Sequence, residues 1–177
     1  MNNYKNIILK KIFSKKICIS VIGLGYVGLP LSLLLSRKDS VIGVDIDQKK
    51  INNLNLNKSH LERIENYKIR KFNKKNVFSS DFSKVNNSDF IIICVPTPLK
   101  KDKAPDLSYI KSAVSKIKPY IKKGQTIILE STSYPGTTYD HIVKIFSKKF
   151  VIGKEIFVGF SSERIDPGRN DNKIQKI

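Results

Sequence analysis

Apolar and polar positions alternate along this chain in blocks. Short β-branched runs end at glycine, proline or a polar turn. Stretches with apolar residues three or four positions apart follow them. Ile17–Ile22 is such a run, ending at Gly23, and predicts a buried strand. Tyr26–Leu35 reads as a helix, with Pro30 tolerated in its first turn. Val41–Ile46 predicts a second strand. Ile51, Leu54 and Leu56 set a helix over Gln48–Leu56, and Leu61–Phe72 a more polar one. Val77–Ser79 suits a short edge strand. Phe90–Val95 is almost wholly apolar, as a strand covered on both faces is, and Pro96 and Pro98 end it. Ile110, Val114, Ile117 and Ile121 form a helical stripe over Leu107–Ile121, stopped by Gly124. A strand at Thr126–Leu129, a helix at Thr137–Phe146, a strand at Ile156–Phe160 and a turn-rich segment at Ser161–Asn170 complete the pattern. Met1–Lys16 is polar and basic, a lead-in helix or a frayed terminus.

Strands that alternate with helices from end to end predict an α/β fold. The expected architecture is a Rossmann-type, doubly wound parallel sheet of about six strands in a single domain. Residues 1–16 are the lead-in segment and 17–177 the domain. Ile17–Ser36 holds no charged residue over 20 positions, the length of a membrane span. It also holds Gly23, Gly25, Gly28 and Pro30, and a strand, a turn and a helix start explain that spacing better. Neither a span nor a signal peptide is expected, and no membrane partner.

With 40% apolar and 27% charged residues, the composition is globular. Two cysteines, Cys18 and Cys94, make no disulfide framework and suit a reducing compartment, the cytoplasm. His60 and His141 stand alone, so no metal site is expected. The net charge of +18 invites a nucleic-acid reading. Against it, 28 of the 33 basic residues are lysine, scattered over the chain, and 26 Ile and 14 Asn accompany only 2 Ala. An A/T-rich coding sequence produces that mixture, so no nucleic-acid partner is expected. A basic field still attracts anionic ligands such as nucleotides.

Five segments carry chemistry. In Gly23-Leu24-Gly25-Tyr26-Val27-Gly28, the first glycine allows a tight turn and the second a close backbone approach to a pyrophosphate. The third allows close packing of helix on strand. Its place between an apolar strand and an apolar helix is the context that confirms the motif, with phosphates on the helix N-terminus. Asp45 lies 17 residues beyond Gly28, at the end of the second strand. A carboxylate there accepts ribose hydroxyls and repels a 2′-phosphate, favouring NAD over NADP, although Lys49 and Lys50 soften that preference. Asp47 is the better cap for the following helix, leaving Asp45 uncommitted. Cys94-Val95-Pro96-Thr97-Pro98 ends the fourth strand at the edge where ligands lie in such sheets, and Cys94 reads as packing. Glu130–Thr138 gathers hydroxyls after the fifth strand, where one of them, on Ser133 or Thr137, suffices as a helix cap. Ser161–Gly168 brings Glu163 and Arg164 to the same edge, as a base or as a surface ion pair.

The segments GLGYVGLP (23–30), VDID (44–47), CVPTPL (94–99), ESTSYPGTT (130–138) and SERIDPG (162–168) together resemble the UDP-glucose/GDP-mannose dehydrogenase family. They match the order of its N-terminal NAD-binding domain over nearly the whole chain. The form of the last two looks most like the branch acting on UDP-N-acetylglucosamine. The resemblance implies oxidation of the carbon-6 hydroxyl of a UDP-sugar to a carboxylate with two NAD+. The sugar would be held on a cysteine thiolate as a thiohemiacetal and then a thioester. It implies auxiliary catalytic roles for Thr132 and Glu163, positioning water and assisting proton transfer. It implies cofactor contacts from Gly23, Gly25, Tyr26, Val27, Gly28, Asp45, Lys50, Val95, Thr97, Ser131 and Thr132. Ser162 and Gln175 stand where the family has proline. The family's nucleophilic cysteine, its lysine partner, the central helix that makes the homo-oligomer and the nucleotide-sugar domain are expected beyond Ile177. The 177-residue chain is therefore expected to bind NAD without turnover, as the cofactor part of the enzyme or as a non-catalytic binding module.

Overall fold

The computed structural model describes residues 3–101 and 103–162. Its helices and strands follow one another as α1 (Tyr4–Phe13), β1 (Cys18–Ile22), α2 (Gly28–Leu35), β2 (Ser40–Val44), α3 (Gln48–Asn55), α4 (Asn66–Asn73) and β3 (Val77–Ser79). A 3-10 turn at Phe82–Asn87, β4 (Phe90–Ile93), α5 (Ser108–Ile117) and β5 (Thr126–Leu129) come next. A π turn at Tyr139–Val143 runs into α6 (Lys144–Phe146), and β6 (Phe157–Phe160) ends the described part. The strands form one sheet in the order β3-β2-β1-β4-β5-β6, and every neighbouring pair is parallel. Strand order reverses between β1 and β4, which opens a crevice at their carboxyl ends.

Alternation along the strands explains the two-sided core. Ile91 and Ile93 of β4 pack with Ile127, Leu129, Ile110, Val114 and Phe146 on one face. Ile92 points to the other, among Val21, Leu29, Leu54 and Phe72. Phe72 stacks on Phe78 there, with ring centroids 4.2 Å apart. Each face is covered by helices, so an isoleucine at any β4 position is buried, as its unbroken apolar run predicts.

All six expected strands form. Several helices differ from the sequence pattern, for local reasons. The stretch from Leu61 becomes helical only at Asn66. Ser59 Oγ donates to Leu61 O and accepts from Leu61 N, and Ser59 N donates to the Asn66 side chain at 2.8 Å. Such local bonds compete with a helix start. α5 stops at Ile117 and tightens into a 3-10 turn at Lys118–Tyr120, because Pro119 has no N–H to continue it. The helix expected over Thr137–Phe146 begins at Thr137, after Gly136 at φ +94°, but it widens into a π turn at Tyr139–Val143 before α6. Residues 4–13 are a helix, not a frayed end, and its N-cap Asn3 accepts a bond from Asn6 N. α1 docks at the amino edge of the sheet. Lys11 Nζ lies 2.6 Å from Asp89 Oδ1, and Asp89 Oδ2 accepts from Cys18 N at 3.0 Å.

Candidate functional site

The carboxyl edge of the sheet holds a cavity of about 850 Å³. Its floor is the glycine loop. Gly23 turns off β1 at φ +92° and donates its N–H to Val44 O at 2.7 Å. A Cβ at Gly28 would lie 1.8 Å from Gly23 O, so only glycine lets α2 pack this close to the strand. Around Gly25, by contrast, no heavy atom lies within 4 Å of a Cβ position. That glycine faces open space, as a backbone approached by a ligand must. Val27, the N-cap of α2, supplies no side-chain cap, leaving the helix start able to meet an anion.

Asp45 stands beside this loop, only 5% exposed. Its Oδ2 accepts from Leu24 N at 2.7 Å and pairs with Lys50 Nζ at 2.7 Å. Its Oδ1 accepts from Asp47 N at 2.9 Å. Asp47 is the helix cap, accepting from Lys50 N, as the sequence predicts. Asp45 is not uncommitted, however: it ties the glycine loop to the end of β2. Two N–H donors and one ammonium still leave one of the carboxylate's about four lone-pair sites for a ribose hydroxyl.

The upper wall comes from β4 and β5. Cys94, Val95, Pro96 and Thr97 line it, with Ser131 and Thr132 opposite. Ser131 is buried and its hydroxyl donates to Val95 O at 2.8 Å, stitching the ends of the two strands together. Thr132 is exposed and free of that duty. Thr137 is absorbed into its own turn, donating to Tyr134 O at 2.8 Å. Cys94 is buried. Cys18 begins β1 at the opposite edge, its Sγ 3.7 Å from Ser88 Oγ. The structure thus brings together Gly23, Gly25, Tyr26, Val27, Asp45, Lys50, Val95, Thr97, Ser131 and Thr132 around one cavity, with Gly28 packed beneath them. Glu163 and Arg164 lie outside the described residues.

Two contributions escape the sequence pattern. α5 lends Tyr109, Ser112 and Lys116 to the rim, and Lys116 Nζ sits 5.5 Å from the Phe82 ring centroid. The Ser59–Glu65 segment straps the glycine loop from outside. His60 Nε2 is 2.9 Å from Leu24 O, so that nitrogen carries the hydrogen, and Arg63 Nη2 donates to Tyr26 O at 2.6 Å. Burial lowers the His60 pKa and Lys50 adds to that. The bond to Leu24 O and the charges of Asp45 and Asp47 oppose it. A polar, helix-like spacing gave no sign of this strap; only its Ser59 and Asn66, both turn-prone, hinted that the helix begins late.

The family model for the UDP-glucose/GDP-mannose dehydrogenase family, NAD binding domain, matches residues 16–176. The UDP-N-acetyl-D-mannosamine dehydrogenase of Methanococcus vannielii is 40% identical over 162 residues, 88% of this chain and 35% of its own. The UDP-N-acetyl-D-glucosamine 6-dehydrogenase of Pseudomonas aeruginosa is 32% identical over 165 residues, 92% of this chain and 39% of its own. A ternary complex of GDP-mannose dehydrogenase from Pseudomonas aeruginosa superposes with a TM-score of 0.77 at 31% identity, covering 84% of this chain and 36% of that one. The chain therefore spans well under half the length of the relatives it matches.

Proposed function

The chain belongs to the UDP-glucose/GDP-mannose dehydrogenase family as its NAD-binding domain, and from that premise we propose that it serves oxidation of a UDP-sugar at carbon 6, with UDP-N-acetylglucosamine as the sugar nucleotide. The observation that carries the reading is the open cradle at Gly25 beside the buried Asp45 carboxylate. A Cβ at Gly25 would enter the space where a diphosphate lies, and the residues present fit NAD. The glycine loop and the start of α2 would hold its diphosphate. Asp45 would accept its ribose hydroxyls, with Lys50 and the loop residues Tyr26 and Val27 alongside. Val95, Thr97 and Ser131 would wall the nicotinamide side.

NAD+ bound here supplies a hydride acceptor, used twice for each alcohol taken to a carboxylate. The chain's own part is to orient and to manage protons. Thr132, exposed and lining the cavity, would position water. Glu163, two residues after Ser161 closes a bond to Leu129 O, is the proposed proton-transfer partner. Neither cysteine of this chain suits thiolate chemistry: Cys94 is buried and Cys18 lies at the far edge. The 177-residue chain should accordingly bind NAD without turnover. Its two free cysteines suit a reducing compartment, which supports a cytoplasmic location.

The sugar is read from the ESTSYPGTT and SERIDPG segments. A second reading, UDP-N-acetylmannosamine, is favoured by the 40% identity of the Methanococcus vannielii relative. Calorimetry of NAD+ with the chain should show binding that Gly25→Val weakens at least about tenfold. Equal binding by both proteins, or none by either, refutes the cradle. NADH formation from either sugar nucleotide by the purified chain refutes the absence of turnover. Saturation-transfer NMR in the presence of NAD+ compares the sugars, and a preference for UDP-N-acetylmannosamine overturns the first reading.

A further inference from the structure

Helix α1 precedes the family domain, whose match begins at residue 16, and nothing in the cofactor site uses it. Its inner side is fixed. Ile8 is buried, Lys11 pairs with Asp89, and the Tyr4 ring lies 3.1 Å from a Cβ position at Gly124. Its outer side is not what a solvated helix presents. Leu9 and Phe13, one turn apart, and Ile12 beside them are all exposed, and Phe13 is 82% exposed. Lysines 5, 10, 15 and 16 surround that ridge, and the chain holds no Asp or Glu before Asp39.

We propose that the outer face of α1 is a docking surface for an anionic lipid membrane, with Leu9, Ile12 and Phe13 entering the headgroup boundary and the surrounding lysines meeting lipid phosphates. An apolar ridge framed by cations on a helix lying along the surface is the pattern of interfacial attachment. Charge selects the occupant. A second copy of this chain would bring the same lysines, and a net charge of +18, against themselves. An anionic bilayer complements both the ridge and its frame. Sheet polarity makes the attachment compatible with the proposed function. α1 sits at the amino edge, by Asp89 and Gly124, whereas the cofactor cavity opens at the carboxyl edge, by Gly25, Thr97 and Thr132. Docking through α1 leaves that cavity facing water. No helix among the described residues is long and apolar enough to cross a membrane, so the attachment is peripheral.

The test is flotation of the full chain with vesicles of phosphatidylcholine alone or mixed with phosphatidylglycerol. The chain should float with the mixed vesicles and not with the neutral ones, and raising salt should release it. Replacing Leu9, Ile12 and Phe13 together by serine should cut the bound fraction at least about tenfold, because bulk charge alone remains. NAD binding by that variant reports its folding. The chain has no tryptophan, so Phe13→Trp adds a single reporter whose emission should shift to the blue with mixed vesicles. A chain that stays with the unbound fraction overturns the proposal. So does undiminished flotation of the triple variant, which would assign binding to net charge. A Phe13→Trp emission that follows protein concentration and ignores vesicles would assign the face to self-association instead.

Discussion

Asp45→Ala separates the two duties the structure gives one carboxylate. The substitution removes an acceptor from Leu24 N (2.7 Å), Asp47 N (2.9 Å) and Lys50 Nζ (2.7 Å). These losses are unequal. Asp47 is exposed, so water replaces its lost acceptor. The Lys50 side chain keeps 22% exposure and turns its ammonium to solvent, which discounts the ion pair. Leu24 is fully buried, and its N–H has nowhere to go. An orphaned buried donor costs about 1–3 kcal/mol. Loss of carboxylate packing adds roughly 1 kcal/mol. The expected destabilisation is therefore about 2–4 kcal/mol, dominated by one backbone amide.

Asp45→Asn tests that apportionment. Its carbonyl oxygen can still accept from Leu24 N, while its NH2 takes the place of the oxygen that accepts from Asp47 N, whose exposed N–H turns to water, so the loss should fall to about 1–2 kcal/mol. Both variants should lose NAD affinity by at least about tenfold, since the charge that the ribose hydroxyls meet is gone in each. Urea unfolding followed by circular dichroism gives the stabilities, and calorimetry the affinities. Alanine and asparagine variants of equal stability would refute the assignment of the loss to Leu24 N–H. An alanine variant within about 0.5 kcal/mol of the parent would refute the loop-tying role altogether.

Gly28→Ala places a Cβ 1.8 Å from Gly23 O, so α2 must retreat from β1; a loss of about 1–3 kcal/mol and of NAD binding is expected by the same two assays. Gln125→Leu should destabilise by about 2–3 kcal/mol with NAD affinity unchanged, because its amide bonds Val85 O and Ser88 O at 2.8 and 2.7 Å at the edge away from the cavity. Stability should also fall with acidification below neutrality. His60 and His141 have pKa values held below the usual 6.5, chiefly by burial, so the unfolded chain takes up protons first. Their contribution is complete above pH 6.5 and declines as pH falls from there toward the lowered native values. Urea midpoints should drop across that window, and less steeply in His60→Gln, whose amide can still donate to Leu24 O; a flat profile in the parent protein would contradict the burial argument.

Periodicity was enough for the sheet because β4 carries an unbroken apolar run, β1 one interrupted by Ser20 alone, and the turns after them carry glycine or proline. A strand covered by helices on both sides has no polar face to disguise it, so Ile91, Ile92 and Ile93 announce themselves. The glycine loop was legible for a different reason. Each of its glycines answers a geometric demand that another residue fails, and two of those demands, at Gly23 and Gly28, are intramolecular. Helix boundaries were less legible. Ser59 and Pro119 decide them through local hydrogen bonds and a missing donor that a spacing rule does not weigh.

What periodicity could not reach is how Asp45 and His60 share the loop. A carboxylate at the end of β2 announces a ribose acceptor, yet its position also puts it against Leu24 N, two elements away in sequence. The same turn of chain shows Leu24 O to His60 and Tyr26 O to Arg63. Leu24 is thus held by its N–H from one side and its carbonyl from the other, and Gly25 follows directly. The open cradle is held in place by bonds to Leu24 and to Tyr26 O on either side of Gly25, not by the glycine itself. Flexibility permitted by the glycines and restraint supplied by Asp45, His60 and Arg63 are separate requirements of one anion site. The glycines and Asp45 leave a motif in the sequence, but His60 and Arg63 do not, since they reach the loop from a segment whose spacing imitates a helix.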